Sequence, residues 1–236
     1  MPSNLTEDQI KVIKSGIWFN SLDAETQDIL LIEAKIKSIE SGTRLFARGE
    51  AYDGLYAVIK GSVRITSVSP SGKEGILAII ESPHWFGEIA LFDGLERTHD
   101  ALAELDTILV HIPSWYLEKV LIDKPKLWKD FGRLLSQKMR VVLVNIEESA
   151  LFPPSSRLAR RLLIMSRGYG EHSANPLDIC IPQEQLGMMV SLSRQTVNQI
   201  LRQFERQGVV RLHRGRIEIL DSERLQKIIQ IDEENY

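Results

Sequence analysis

The segment FGEIALFDGLERTHDA, Phe86 to Ala101, carries residue types that suit a charged small ligand. Arg97 can give an anion two parallel hydrogen bonds, and Glu88, nine residues earlier, can accept from a hydroxyl group. Gly87 lets the backbone approach a ligand closely. The segment therefore predicts a ligand cradle, while a second interpretation stays open, in which Glu88 and Arg97 pair with each other across an Asp93-Gly94 hairpin turn and hold nothing.

The segment IPQEQLGMMVSLSRQTVNQILRQFERQG, residues 181–208, predicts a helix-turn-helix. Leu186 and Val190 lie one helical turn apart on a first short helix, and Ser191-Leu192-Ser193 forms the turn. Ser193 is placed to cap the second helix. The apolar stripe of that second helix comprises Val197, Ile200, Leu201 and Phe204.

Polar side chains near the start of the second helix predict DNA recognition. Arg can pair with guanine through two hydrogen bonds, and Gln or Asn can do the same with adenine. The following VVRLHRGRIEIL predicts a two-stranded wing with Arg214 at its basic tip. The predicted DNA-binding residues are Ser193, Arg194, Gln195, Thr196, Asn198, Gln199 and Arg214.

Charge distribution supports this interpretation, although the chain has a formal net charge of −3. The stretch from Ile181 to Arg216 contains six arginines against only Glu184 and Glu205, and the segment after it turns acidic. A basic island in an acidic chain is typical of a surface that contacts phosphates.

Composition limits the other classes of function. A length of 236 residues favours two domains, and the single cysteine, Cys180, rules out an intrachain disulfide framework and a four-cysteine zinc or iron-sulfur site. The five histidines are scattered without the spacing of a metal centre, which argues against an enzyme in a cupin-like barrel. We expect no metal. No apolar run reaches membrane-spanning length and no signal peptide is evident, so we expect a cytoplasmic protein with no membrane partner.

The elements that must position these residues change in character along the chain. Thr6 to Lys37 predicts helix with a break near Asn20-Ser21, and Thr43 to Ile112 predicts short antiparallel strands. Pro125 to Leu151 predicts one long helix whose seam comprises Leu127, Phe131, Leu134, Leu135, Met139, Val142 and Ile146. Around Val141 to Val144 this helix is apolar on nearly every side, which predicts a second copy packed against it; burial within a monomer is the alternative.

Three blocks of sequence resemble the CRP/FNR family of transcription factors. The first block comprises three segments that match the family's β-roll: Arg48-Gly49-Glu50, Gly61-Ser62-Val63 and Phe86-Gly87-Glu88-Ile89. The second is Gly87-Glu88 followed by Arg97-Thr98, which matches the family pattern of Gly-Glu and then Arg-Ser/Thr. The third is Leu192 to Val197, which matches the family's winged helix-turn-helix.

The resemblance implies an α+β protein with an antiparallel, jelly-roll-like β-roll of the cyclic-nucleotide-binding type, a long dimerisation helix and a C-terminal winged helix-turn-helix. The expected divisions are an N-terminal helical segment at 1–20, the β-roll domain at 21–124, the central helix at 125–151, the DNA-binding domain at 152–225 and an acidic tail at 226–236. It also implies a homodimer, a palindromic double-stranded DNA operator and RNA polymerase as partners.

The resemblance places an effector in the β-roll, with Arg97 on a phosphate and Glu88 on a ribose hydroxyl. The expected ligand-binding residues are Gly87, Glu88, Ile89, Arg97, Thr98, His99, Val142 and Leu143. His99 stands where the family has a small residue, and Val142 and Leu143 stand where the family's adenine-contacting Thr and Ser would fall. The effector is thus cyclic AMP, cyclic GMP, another anion or none. In the last case the pocket is vestigial, and the protein is a scaffold or regulator that binds DNA constitutively or binds a protein partner. Haem sensors of the family use a His as ligand, and His84, His99 and Pro2 lie in the relevant region. Isolated residues of these types are commonplace, so we expect no haem. The iron-sulfur sensors need several cysteines, so with Cys180 alone we expect no iron-sulfur cluster.

Overall fold

The computed structural model describes residues 5–70, 72, 74–166, 178–179 and 181–234. Four features of the sequence fall outside these ranges: Pro2, His172, Cys180 and the helix end expected at Gly168-Tyr169-Gly170. The described helices are α1 Glu7–Ser15, α2 Ile17–Asn20, α3 Ala24–Leu31, α4 Ile89–Asp93, α5 Ser114–Asp123, α6 Leu127–Leu151, α7 Pro154–Ser166, α8 Gln183–Met189, α9 Arg194–Arg206 and α10 Ser222–Glu234.

The described strands fall into three antiparallel sheets. They are β1 Lys35–Ile39, β2 Arg44–Phe46, β3 Gly54–Lys60, β4 Ser62–Val68, β5 Glu74–Glu81, β6 Trp85–Phe86, β7 Asp100–Ala103, β8 Thr107–Pro113, β9 Asp178–Ile179, β10 Val210–His213 and β11 Arg216–Ile219. The chain divides into two compact units, residues 1–71 with 77–140, and residues 72–76 with 141–236.

The first unit is built on two sheets, with strand orders β1-β8-β3-β6 and β2-β7-β4-β5. A buried cluster contains Phe46 and Val63 from one sheet with Tyr56, Phe86 and Leu109 from the other, so the inner faces of the two sheets pack together. This is the arrangement that alternating apolar residues on short antiparallel strands favour. A second cluster joins α1, α2, α5 and the start of α6 to the outer face of the first sheet. The predicted α+β fold with a β-roll is therefore confirmed.

Three local predictions for this unit are wrong. The helix expected to reach Lys37 ends at Leu31, and Lys35–Ile39 is an edge strand paired with β8. The two short strands β6 and β7 were not expected. The segment that begins at Phe86 does not turn at Asp93-Gly94 as a hairpin, because residues 89–93 form α4 and Gly94 caps it in the left-handed conformation.

The long helix α6 runs from Leu127 to Leu151, close to the predicted bounds. Phe152 and Pro153 interrupt it, and Pro154 is already the first residue of α7. Proline suits this place because its missing N–H has no helical partner at a first turn. The prolines in Phe152-Pro153-Pro154-Ser155-Ser156 predict a hinge of five residues, but the break between the two helices comprises only two. Among the described helices, none is both long and apolar enough to cross a membrane.

The second unit contains the predicted winged helix-turn-helix. The side chain of Ser193 accepts a hydrogen bond from the Thr196 N–H at 3.1 Å, so the predicted cap is present at the start of α9. Val197, Leu201 and Phe204 are fully buried. The wing strands β10 and β11 pair across Arg214-Gly215, and β9 adds a third strand that the sequence did not predict.

Ser191, in the turn between α8 and α9, adopts a left-handed conformation with φ of 55°. A left-handed residue other than glycine is strained by about 1–2 kcal/mol, whereas glycine adds conformational freedom to the unfolded chain. We expect Ser191→Gly to stabilise the protein by a net gain of about 0.5–1 kcal/mol, and to raise the unfolding midpoint by roughly 1–4 °C in a thermal scan followed by circular dichroism. A lower midpoint would show that the Ser191 side chain stabilises the turn.

Candidate ligand cradle and DNA-binding surface

Arg97 lies at the centre of the cradle and is only 4% exposed. Its backbone is fixed by the loop after β2, since its N–H donates to the Glu50 carbonyl and its carbonyl accepts from the Gly49 N–H. Its guanidinium donates from Nη1 to the Gly87 carbonyl at 3.0 Å and from Nη2 to the Gly54 carbonyl at 2.7 Å. Buried charge requires such partners. The side chain is therefore held in one orientation by the backbone of two separate segments.

Three aromatic rings complete the wall around this guanidinium. Its central carbon lies 4.3 Å from the centre of the Phe46 ring, 4.9 Å from Tyr52 and 5.7 Å from Tyr56. Cation–π attraction of this kind stabilises a desolvated guanidinium. The rings also keep bulk water from its sides.

Two glycines make this close packing feasible. A Cβ on Gly87 would lie 2.8 Å from Nη1 of Arg97, and φ is 95° there. A Cβ on Gly54 would lie 2.1 Å from the Ile112 carbonyl oxygen, with φ of 145°. Any larger residue at either position would displace the neighbouring backbone or the guanidinium.

Asp53 is the acidic partner of Arg97, with Oδ1 lying 2.5 Å from Nη2. Its other oxygen, Oδ2, accepts from the Tyr56 hydroxyl. Burial works against ionisation of Asp53, but the hydrogen bonds from Tyr56 and Arg97 outweigh it, so the pKa of Asp53 lies below its usual value. The side chain of Asp53 is 47% exposed, and it therefore forms the solvent side of the cradle.

Glu88 is buried, with 2% of its surface exposed, and does not pair with Arg97. Its carboxylate instead accepts from Lys138 on α6, with Nζ lying 2.6 Å from Oε2. The interpretation in which Glu88 and Arg97 bridge two turns is therefore wrong: each has a partner elsewhere in the first unit.

The remaining predicted ligand residues lie at the rim or beyond it. Ile89 and Thr98 are exposed, and His99 Nδ1 lies 2.9 Å from the Thr98 hydroxyl. Burial, followed by the charge of Arg48, lowers the pKa of His99. Val142 and Leu143 belong to the second unit and are about half exposed, so their contact with a ligand stays a prediction.

On the second unit, the start of α9 presents Arg194, Gln195 and Gln199 to solvent. Thr196 is half-buried, and its hydroxyl lies 2.8 Å from that of Ser193. Asn198 donates to the Gln183 side chain at 2.8 Å, so this amide is already engaged with α8. The exposed polar side chains at the start of α9 are therefore Arg194, Gln195 and Gln199.

The wing adds cations beside this helix. Arg214 is exposed at the turn. A cleft of about 420 Å³ between the wing and the start of α8 is lined by residues that include Glu184, Arg194, His213 and Arg216. Arg211 and His213 both contact the Glu218 carboxylate, at 3.2 Å and 3.1 Å. The His213 hydrogen bond is the largest influence on Glu218 and lowers its pKa. Arg214 therefore lies at the turn of a paired hairpin.

The sequence did not predict the two residues of opposite charge that pair with Arg97 and Glu88, which are Asp53 and Lys138. Asp53 lies 44 positions before Arg97, and Lys138 lies 50 positions after Glu88, so no local spacing connects them. Asp53 in AYDGLY is typical of a turn, and Lys138 is typical of a solvated helix face. Within the described ranges, no group of three or more His, Cys, Asp or Glu side chains is arranged to hold a metal ion.

Comparisons with known proteins agree with both units. Residues 36–124 match the model of the cyclic nucleotide-binding domain, and residues 156–228 match the Crp-like helix-turn-helix domain. A CRP-like cAMP-activated global transcriptional regulator of Mycobacterium tuberculosis is 31% identical over 78% of this chain and 83% of its own. The cyclic AMP receptor protein of Thermus thermophilus is 27% identical over 92% and 98%. A crystal structure of a CRP/FNR family transcriptional regulator, also from Thermus thermophilus, aligns with a TM-score of 0.70 and 27% identity, covering 83% of this chain and 98% of the other.

Proposed function

The chain belongs to the CRP/FNR family of transcription regulators, and we propose that a cyclic nucleotide bound around Arg97 controls how tightly it binds DNA. Like its family, it is a dimeric DNA-binding regulator and not an enzyme. The observation that carries the effector proposal is the buried Arg97 guanidinium. It lies between the Gly54 and Gly87 backbones, in a domain of the cyclic-nucleotide-binding type.

Cyclic AMP is the first effector to test because both relatives described above carry it in their names. A cyclic nucleotide presents one phosphate charge and one ribose hydroxyl, which match the cation of Arg97 and the acceptor of Glu88. If Val142 and Leu143 face the base, they offer no hydrogen bond that separates adenine from guanine. Cyclic GMP is therefore the second effector to test.

The Lys138–Glu88 pair supports a route from the effector to α6. A ribose hydroxyl that donates to Glu88 adds a second partner to the buried carboxylate that Lys138 contacts at Oε2, and it can replace the ammonium there. Lys138 lies on α6, two residues before the end of the first unit at Arg140. We propose that exchange of this contact shifts α6 and thereby changes the pose of the helix-turn-helix domains.

The DNA site that fits this chain is a two-fold palindrome whose half-sites lie one helical turn apart, because each protomer of a dimer presents one copy of α9. We further propose that the regulator acts in the cytoplasm and meets RNA polymerase at promoters. Arg194, Gln195 and Gln199 read base edges in this proposal, and Ser193, Thr196, Asn198 and Arg214 position the helix or contact phosphates.

A double variant tests the role of α9. Duplexes selected from a random library by the wild-type protein give the operator, and fluorescence anisotropy measures affinity with and without cyclic AMP or cyclic GMP. We expect Arg194→Ala with Gln195→Ala to weaken binding to the selected duplex at least about 100-fold, since each good base pairing contributes about 1–3 kcal/mol per half-site. Affinity for unrelated DNA should change much less.

The matched control is Gln226→Ala with Lys227→Ala, which removes one amide and one cation from an exposed part of α10. This control should bind the selected duplex as the wild type does. Equal loss in both double variants, or none in the α9 variant, would contradict the reading role of α9. An affinity for DNA that neither nucleotide alters would contradict control by a cyclic nucleotide.

A further inference from the structure

The hydrogen bonds of Arg97 leave little of its guanidinium free for a ligand. Both protons of Nη2 are used, one by Asp53 and one by the Gly54 carbonyl, and one proton of Nη1 is used by Gly87. A guanidinium forms a pair of parallel hydrogen bonds through Nη1 with Nη2 or through Nε with Nη2, where Nη2 is the nitrogen trans to Cδ. Both of these edges include Nη2. A phosphate can therefore take two hydrogen bonds from Arg97 only by replacing one of the two acceptors on Nη2.

Asp53 is the acceptor that an incoming phosphate can replace. The Gly54 carbonyl belongs to strand β3, which is paired along its length with β8, whereas Asp53 precedes the strand and its side chain is 47% exposed. A side-chain rotation would free Nη2 without moving the sheet. Nε of Arg97 is buried and has no hydrogen-bond partner among the described residues. The Nε–H therefore supplies one of the two donors that a ligand would need on the Nε–Nη2 edge.

The charges of the cradle cancel in the absence of a ligand. Arg97 is balanced by Asp53, and Lys138 is balanced by Glu88. The low pKa of Asp53 keeps this carboxylate ionised at neutral pH. A ligand therefore enters a site with no net charge, in which the Asp53 carboxylate lies close to the phosphate of the ligand.

We propose that Asp53 is a specificity-determining residue that restricts the cradle to phosphates with a single negative charge. This inference rests on the proposed function and names the ligand class of the same site: cyclic phosphodiesters are accepted, and the corresponding 5′-monoesters are rejected. After displacement, Asp53 stays near the phosphate because Tyr56 still donates to it. Its repulsion of the ligand grows in proportion to ligand charge. A monoester, whose second pKa is about 6, carries close to two charges at about pH 7.5.

Asp53→Asn tests the proposal because it removes the charge and keeps the shape of the side chain. Its amide oxygen can still accept from Arg97, while its NH2 group can donate to the hydroxyl oxygen of Tyr56. Calorimetric titrations at about pH 7.5 would measure cyclic AMP, cyclic GMP, 5′-AMP and 5′-GMP against the wild type and the variant. We expect affinity for the monoesters to rise at least about tenfold more than affinity for the cyclic nucleotides. Glu96→Gln is the control, since it removes an exposed carboxylate next to Arg97 in the chain and should leave this ratio unchanged.

The outcomes separate this inference from the function on which it rests. If the wild type binds a cyclic nucleotide and Asp53→Asn leaves the ratio as it was, the specificity role of Asp53 is wrong and the proposed function stands. If neither protein binds any of the four nucleotides, both proposals fail. Should Asp53→Asn not fold, Asp53→Ser is titrated in its place, and the same change in ratio is required of it.

Discussion

Replacing Arg97 by alanine is expected to abolish binding of cyclic nucleotides and to destabilise the first unit. Among the described residues of the cradle, Arg97 has the only guanidinium group. Its loss should weaken the binding of cyclic nucleotides at least about 100-fold. The carbonyls of Gly54 and Gly87 would also lose their donor inside the protein. Since an unsatisfied buried acceptor costs about 1–3 kcal/mol, we expect a loss of roughly 2–4 kcal/mol in unfolding free energy.

Two further substitutions separate these effects. Arg97→Lys keeps the charge but not the planar set of donors, so we expect it to recover part of the stability and little of the affinity. Arg44→Ala removes an exposed arginine from the same domain and should change neither quantity. Calorimetry measures affinity, and urea unfolding followed by tryptophan fluorescence measures stability. Wild-type affinity in folded Arg97→Ala would refute the phosphate role of Arg97.

The cradle shows which parts of a site the sequence can predict. Gly87, Glu88 and Arg97 lie within eleven residues of one another, and their types alone indicate a cation, an acceptor and a close backbone approach. Asp53 becomes the partner of Arg97, and Lys138 the partner of Glu88, only when the fold brings distant parts of the chain together. A pair of residues 44 or 50 positions apart has no local signature in the sequence. The sequence therefore indicated the cradle but not the residues of opposite charge that pair with Arg97 and Glu88.

The fold was predictable where its elements are long or regularly periodic. The apolar spacing of α6 and the turn and cap before α9 each fix an element by local rules. By contrast, β6 and β7 have only two and four residues. The edge strand β1 reads Lys-Ile-Lys-Ser-Ile, with only two apolar residues and no strict alternation. Charge on an edge strand protects it from pairing with other chains but weakens its signal in sequence. Asn198 was predicted to read DNA, but its contact with Gln183 depends on how α8 packs against α9.

A charge placed on the seam of α6 should separate the two protomers. Met139, Val142 and Ile146 follow each other at spacings of three and four residues, and each is about half exposed in the single chain. Such spacing is typical of paired helices that pack knobs into holes. In Val142→Glu with Ile146→Glu, dimerisation would bury four carboxylates in an apolar interface, where unpaired charges are strongly unfavourable. We expect a monomer by analytical ultracentrifugation at micromolar concentration.

Loss of the dimer should in turn reduce DNA affinity, even though α9 is untouched. A dimer binds its second half-site as an intramolecular event, and linkage of this kind strengthens binding by about 10²–10⁴-fold. The double variant should therefore bind a full palindrome no more tightly than a single half-site. The control is Leu105→Glu, which introduces a charge at an apolar side chain that is 58% exposed and lies away from α6 in the chain. It should remain dimeric with full affinity. A dimeric double variant would place the protomer contact elsewhere, whereas a monomer that kept full affinity for the palindrome would show that the two half-sites are bound independently.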